Sequence, residues 1–304
     1  KINFDILGLV YWMLSRSEEV NAPENLLDRF ERFPSTLSHA YKNNYLNRPL
    51  VDEWLLILKE ITRRLWPSIA LKNKNYALTL SHDVDLPSRF GFRSKRSFLR
   101  SIIGHFLNTY DLSTFINAYK IYLRTFKELH PKDPFNSFDF LMDTAESFSL
   151  KSTFYFIAGR TDLQKDALYN INDSAIKKLI NQIVKKGHYI GLHPSFNSYK
   201  KTEIIIEEYQ KLKMAIKNID FKSFNGSRMH YLRWKTPHTA INLSNAGIIY
   251  DSSLGFADCP GFRCGTCHEY QMFDPISNKI LNLIQRPLIV MDTTLINSAY
   301  MGKI

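Results

Sequence analysis

Apolar residues follow a helical period in the first part of the chain and gather into short unbroken runs further on. In 49–66, Val51, Leu55, Leu58, Ile61 and Leu65 fall on one face of a helix. Asp52 and Glu53 lie in its first turn and Arg63 and Arg64 in its last, as the helix dipole favours, and Pro67 stops it. Residues 1–75 are therefore expected to form a small helical N-terminal domain. From residue 76 the pattern alternates. Residues 76–80 and 152–157 read as strands, 138–148 as a helix between them, and 174–186 as a second helix. Asn172 or Asp173 is expected to cap that helix and Gly187 to end it as C′. A strand follows at 189–192, with later ones expected at 248–250 and 288–291. Strands alternating with helices predict an α/β fold over 76–304, with a parallel sheet or barrel.

In such folds chemistry collects at the C-terminal ends of strands. The run "LTLSHDVD" (78–85) brings His82, Asp83 and Asp85 to the end of one expected strand. Side chains alternate along an extended chain, so Asp83 and Asp85 share a side. Two neighbouring carboxylates repel unless a cation or a proton separates them. That pair suits one metal-binding carboxylate and one general base. The run "GHYIGLHPSFN" (187–197) delivers His193 after another strand, with Asn197 four residues on, while His188 is expected to pack behind the strand. A third run, "RMHYLRW" (228–234), is dense in groups that hold anions, sugars and oxyanions.

Lys and Arg number 40 against 29 Asp and Glu, a net charge of +11, which favours anionic partners. Much of the excess sits in 89–100, "RFGFRSKRSFLR", expected to be a basic surface or a contact for an anionic substrate or membrane leaflet. No nucleic-acid-binding module is recognisable, so nucleic acid is not an expected partner. No apolar run reaches the ~18 residues that span a bilayer, and a cytoplasmic location, peripheral to the inner membrane, is the expectation. The chain begins with Lys rather than Met, which leaves room for an upstream segment. Cys259, Cys264 and Cys267 lie in one Gly-containing loop with His268. Three cysteines give no disulfide framework and lack the fourth thiolate of a ferredoxin cluster; free thiols are expected, with a Cys₃His zinc site as the alternative.

Taken together and in this order, the three segments resemble those of the polysaccharide deacetylase superfamily, the group with the NodB-like homology domain. "LTLSHDVD" is similar to its first motif, "GHYIGLHPSFN" to its second and "GSRMHYLRW" to its third, while "AGIIYDSSLGF" and "GFRCGT" resemble a surface-polysaccharide biosynthesis subgroup. The resemblance implies a distorted (β/α) barrel over roughly 76–295 and metal-dependent removal of an N-acetyl group from a sugar; lipid-linked, nucleotide-linked and polymeric substrates all stay open. It implies that Asp83 is the general base, that Asp85 and His193 are metal ligands, most simply for Zn2+, and that Arg228 orients the base. Where the family has a second metal histidine this chain has Asn197, whose amide oxygen is the candidate third ligand. No histidine follows His268. The family's late Leu-x-His motif is thus expected beyond Ile304, or His230 takes the acid role. Tyr231, Arg233 and Trp234 are expected to line the sugar cleft, with Asp251 and Arg263 at its rim. The alternatives are a non-catalytic glycan-binding protein and a hydrolase of a non-sugar amide.

Overall fold

The computed structural model describes residues 3–72, 75–109, 112–217 and 224–302. Its helices are α1 (Ile6–Leu14), α2 (His39–Lys42), α3 (Leu50–Leu65), α4 (Lys95–Thr109), α5 (Leu112–Arg124), α6 (Phe138–Ser147), α7 (Ser174–Lys185), α8 (Thr202–Ala215), α9 (His238–Asn245) and α10 (Asp292–Ile296). Its strands are β1 (Leu80–Val84), β2 (Ser152–Phe156), β3 (Tyr189–Leu192), β4 (Phe224–Ser227), β5 (Tyr250–Asp251), β6 (Tyr270–Asp274) and β7 (Lys279–Gln285). Seven strands, mostly parallel, among helices make a mixed α/β fold. The chain divides into two compact units. One holds Lys1–Ala77, Phe196–Ile206 and Gly226–Ile304, the other Leu78–Ser195 and Glu207–Asn225.

In the second unit β1, β2 and β3 are parallel neighbours, with Leu80 opposite Ser152 and Val84 opposite Phe156. That register corrects the expected strand at 76–80. Pairing begins at Leu80 and runs through His82 and Asp83, because the partner strand starts at Ser152. β2 is buried throughout, as a strand flanked on both sides must be. α7 buries Ala175, Ile176, Leu179, Ile180 and Ile183, the stripe its 3.6-residue period predicts. Gly187 then takes a left-handed φ of 81° and closes the helix as C′. The N-cap Asp173 accepts no helix N–H; its Oδ2 accepts the Asn170 N–H instead.

In the first unit β4 pairs with β5 and β5 with β7, all parallel, and β6 is antiparallel to β7. No strand forms over 288–291, where one was expected; the β6–β7 hairpin, over 270–285, precedes that segment. Asp274 holds its turn by accepting the Ile276 N–H at 2.9 Å and the Ser277 hydroxyl. The N-terminal helices do not stand alone as the hydropathy pattern suggested. Phe33, Ala40 and Leu46 share a core cluster with Phe256. The Val51 N–H donates to the Gly265 carbonyl and the Phe262 N–H to that of Leu46. α3 buries only Val51; Leu55 and Leu65 of its expected inward face are exposed.

Beneath this packing lies a buried ion cluster. Arg16 donates to Glu19 Oε1 through Nε at 3.0 Å and Nη2 at 2.9 Å, and Arg263 adds its Nε at 2.8 Å. Thr236 donates its hydroxyl to the other carboxylate oxygen at 2.8 Å. Burial pushes the Glu19 carboxyl up, but Arg263 and Arg16 outweigh it and hold it at about 2.

Candidate active site

The register of the second unit puts three ionisable groups at one end of its sheet. Asp83 pairs with Tyr155 inside β1, and Asp85 lies one residue past the strand's last pair. His193 follows β3 directly, and its N–H continues the ladder to the Phe156 carbonyl at 2.8 Å. His193 Nε2 approaches Asp85 Oδ1 at 3.4 Å and Asp83 Oδ2 at 3.8 Å. The imidazole is buried while both carboxylates reach solvent. Neighbouring carboxylates with an imidazole across from them are stabilised by a divalent cation or by a proton on the ring. Carboxylate oxygen and imidazole nitrogen together form a donor set suited to zinc and similar divalent ions.

His82, adjacent in sequence, faces other partners. Its ring leans on Phe154 at 4.9 Å and its Nε2 meets the Ser152 hydroxyl at 3.3 Å. Strand alternation sends it to the face opposite Asp83. His188 is structural, as expected. Its Nδ1 accepts the Ser152 N–H at 3.0 Å, which leaves the proton on Nε2, 3.2 Å from Glu146.

Two groups that brace this rim carry no motif in the sequence. Tyr169 donates its hydroxyl to the Val84 carbonyl and accepts the Ile157 N–H, both at 2.8 Å, so it ties the end of β1 to the end of β2. Burial raises its phenol well above the usual value, keeping it a neutral donor. Glu208 clamps the loop after His193: Oε2 accepts the Ser195 N–H at 2.9 Å and Oε1 accepts the Ser195 hydroxyl. Burial pushes the Glu208 carboxyl up to about 7 against those hydrogen bonds. Gly159 gives it room, since a Cβ there would stand 2.0 Å from Glu208 Oε1.

The remaining predicted residues belong to the first unit. Asn197 Oδ1 accepts from Arg233 Nη1 at 3.0 Å. Arg233 is buried between the Phe196 and Tyr199 rings, each centroid 4.1 Å from its guanidinium carbon. It also donates to the Phe30 and Phe196 carbonyls at 2.9 Å and pairs with Glu31 at 3.1 Å, a cage that takes it out of a cleft lining. Trp234 does line a cleft of about 400 Å3, with Glu19, Glu31, Tyr199, Thr236 and His238, and its indole N–H donates to Thr236 at 3.0 Å. Tyr231 sits at a φ of 60°, its ring among Phe30, Phe196 and the buried His230. Arg228 is buried, its Nε donating to the Ser252 carbonyl at 3.2 Å.

Asp251 and Arg263, expected at a rim, are instead buried. Arg263 is held by Glu19. Asp251 accepts the Ser227 hydroxyl at 2.9 Å and the Ser253 hydroxyl and N–H at 2.8 and 2.6 Å. Burial pushes its carboxyl up to about 6. A strand residue with three short-range donors is satisfied internally and has no call on solvent. The cysteines also separate. Cys264 is buried and Cys259 half-buried, whereas Cys267 is exposed beside Asp52 and His268, their ligand-type atoms within 4.8 Å of one another. The expected thiol loop thus holds an Asp–Cys–His group rather than Cys₃His.

Residues 1–67 match the model of a family of unknown function, DUF7033. No curated protein matches. Among solved structures, the chain is similar to one described as a "putative polysaccharide deacetylase" from Mycobacterium smegmatis. The likeness has 16% identity and a TM-score of 0.38, over 69% of this chain and 57% of that one. No helix among the described residues is long and apolar enough to cross a membrane.

Proposed function

We propose that this protein is a metal-dependent hydrolase, on a distorted (β/α) barrel of the polysaccharide deacetylase type, that removes an acetyl group from an N-acetylated sugar during surface-polysaccharide assembly. The observation that carries the reading is the approach of His193 Nε2 to Asp85 Oδ1 at 3.4 Å and to Asp83 Oδ2 at 3.8 Å at the ends of two parallel strands. Asp85 and His193 would hold the cation, with Zn2+ the best match to a carboxylate and an imidazole. When bound, such an ion supplies Lewis-acid polarisation and lowers the pKa of nearby water.

The chain's own groups do the rest. Asp83 accepts the proton of the attacking water as its oxygen bonds to the acetamide carbon. The carbon–nitrogen bond then breaks, giving acetate and a free amine. Glu208 and Tyr169 keep the rim fixed, and a fixed rim is what holds a base in register with its substrate.

A second reading, glycan binding without turnover, is favoured by one observation: the Asn197 amide oxygen accepts from Arg233. Acetate release from a panel of N-acetylated sugars and their lipid- and nucleotide-linked forms separates the two. Turnover that falls at least ~100-fold in Asp83→Asn and His193→Ala supports the hydrolase. Binding of a panel glycan with no acetate released by metal-loaded protein supports the second reading instead.

A further inference from the structure

Helices α4 and α5 of the second unit carry a surface that the hydrolase reading does not use. Residues 86–127 contain eight Lys and Arg against a single acid, Asp111. The inward sides of the two helices are already occupied. Phe98, Ala118 and Ile121 form a buried cluster with Phe90, and Phe98 stacks on Tyr122 at 4.2 Å. Yet each helix presents a second apolar stripe to solvent. In α4 it is Leu99, Ile103 and Leu107, spaced by four residues; in α5 it is Tyr119 and Leu123, with Phe126 in the turn just past the helix. These six side chains are 47–66% exposed. Helical spacing puts the α4 trio on one face and the α5 pair on one face.

Exposed cations border both stripes. Lys95, Arg96 and Arg100 flank the first, and Lys120 and Lys127 the second, where Arg124 is paired with Glu128 at 2.6 Å. Large apolar side chains left in water between cations are the pattern of a helix lying in a lipid interface, its apolar stripe in the acyl boundary and its cations at the phosphates. A second copy of the same cationic face would be repelled. The α4 stripe is wholly aliphatic, a poor stacking platform for nucleic-acid bases.

We propose that α4 and α5 dock the protein on the surface of an anionic lipid bilayer without spanning it. The inference stands apart from the hydrolase reading, because binding is measured without turnover. The test is flotation of the full chain with phosphatidylcholine vesicles, with and without about 30% phosphatidylglycerol. The protein is expected to float with the anionic vesicles at least ~10-fold more than with neutral ones, less so as salt rises. Arg96→Glu/Arg100→Glu and, separately, Leu99→Ser/Ile103→Ser should each cut that binding ~10-fold or more with unchanged circular dichroism. All four positions are solvent-facing, and should the apolar variant fail to fold, the charge-reversed one decides. Equal flotation with both vesicle types, no flotation of the wild type, or wild-type binding by the charge-reversed protein overturns the proposal. Retention of the chain only by an added protein or nucleic acid, with vesicles ignored, overturns it as well.

Discussion

Replacing Glu19 by Gln removes one negative charge from a site where two arginines meet and water does not. The Gln oxygen can keep the three guanidinium N–H donors on Oε1, so the change is chiefly electrostatic. In the folded chain the carboxyl is held down from 4.5 to about 2. At ~1.4 kcal/mol per pH unit, that difference makes the ionised group worth about 3 kcal/mol near neutral pH. The size agrees with the ~3–5 kcal/mol typical of breaking a buried pair from one side. After the change Arg16 keeps the Glu18 carboxylate, 2.6 Å away, and the Met13 and Arg263 carbonyls, and Arg263 keeps the Gly255 carbonyl. All four tryptophans, Trp12, Trp54, Trp66 and Trp234, lie in the first unit, so indole fluorescence during urea unfolding reports on that unit. Glu19→Gln should lower its stability by about 3 kcal/mol at pH 7 with little change in the denaturant slope. The sign with pH follows from a depressed carboxyl. Its contribution is present above 4.5 and is lost as pH falls toward 2, so the gap between wild type and variant should shrink steadily over that window. A variant within ~0.5 kcal/mol of wild type at pH 7, or a gap that stays constant down to pH 3, would refute the reasoning.

Gly159→Ala should destabilise the second unit by ~1–3 kcal/mol, because its Cβ meets Glu208 Oε1 at 2.0 Å; hydrogen exchange of the β1–β3 amides reads it. Glu208, raised to about 7, stabilises fully below 4.5 and progressively less as pH climbs through 7. Exchange in wild type should therefore quicken relative to Glu208→Gln between pH 5 and 8, and no difference there would count against the clamp. Asp251 is raised from 3.8 to about 6, so its ionisation costs the folded state up to ~3 kcal/mol at pH 8. Asp251→Asn, whose amide can serve the same serines, should unfold at equal or higher urea there; a midpoint clearly below wild type would show that the charge itself is needed.

The alternation of strand side chains made Asp83 and Asp85 legible as a pair, and the strand-like 189–192 did the same for His193. The start of β1 was not legible. Tyr76 to Thr79 are as strand-prone as the residues that pair, and only the partner beginning at Ser152 sets the register. Glu208 carries a readable signal in the sequence. It lies on the α8 stripe of Ile205, Tyr209 and Leu212, where a carboxylate is out of place unless it is bonded. The Arg16–Glu19–Arg263 cluster had none, for Arg263 lies 244 residues from Glu19 and each member looks like surface charge. For the same reason Arg233, Asp251 and Arg263 read as cleft residues: polarity in a string does not reveal whether a partner waits in the fold. The N-terminal segment read as separate because helix periodicity reports an inward face but not what covers it. Here Phe256 and the Gly261–Gly265 loop do so.

Divalent-metal titration of the full chain, carrying Cys267→Ser to silence the Asp52–Cys267–His268 group, tests the central claim most directly. The account predicts about one equivalent of Zn2+ held by that protein and lost on adding either Asp85→Ala or His193→Ala. Unaltered metal uptake in both variants, or none in their parent, would contradict it.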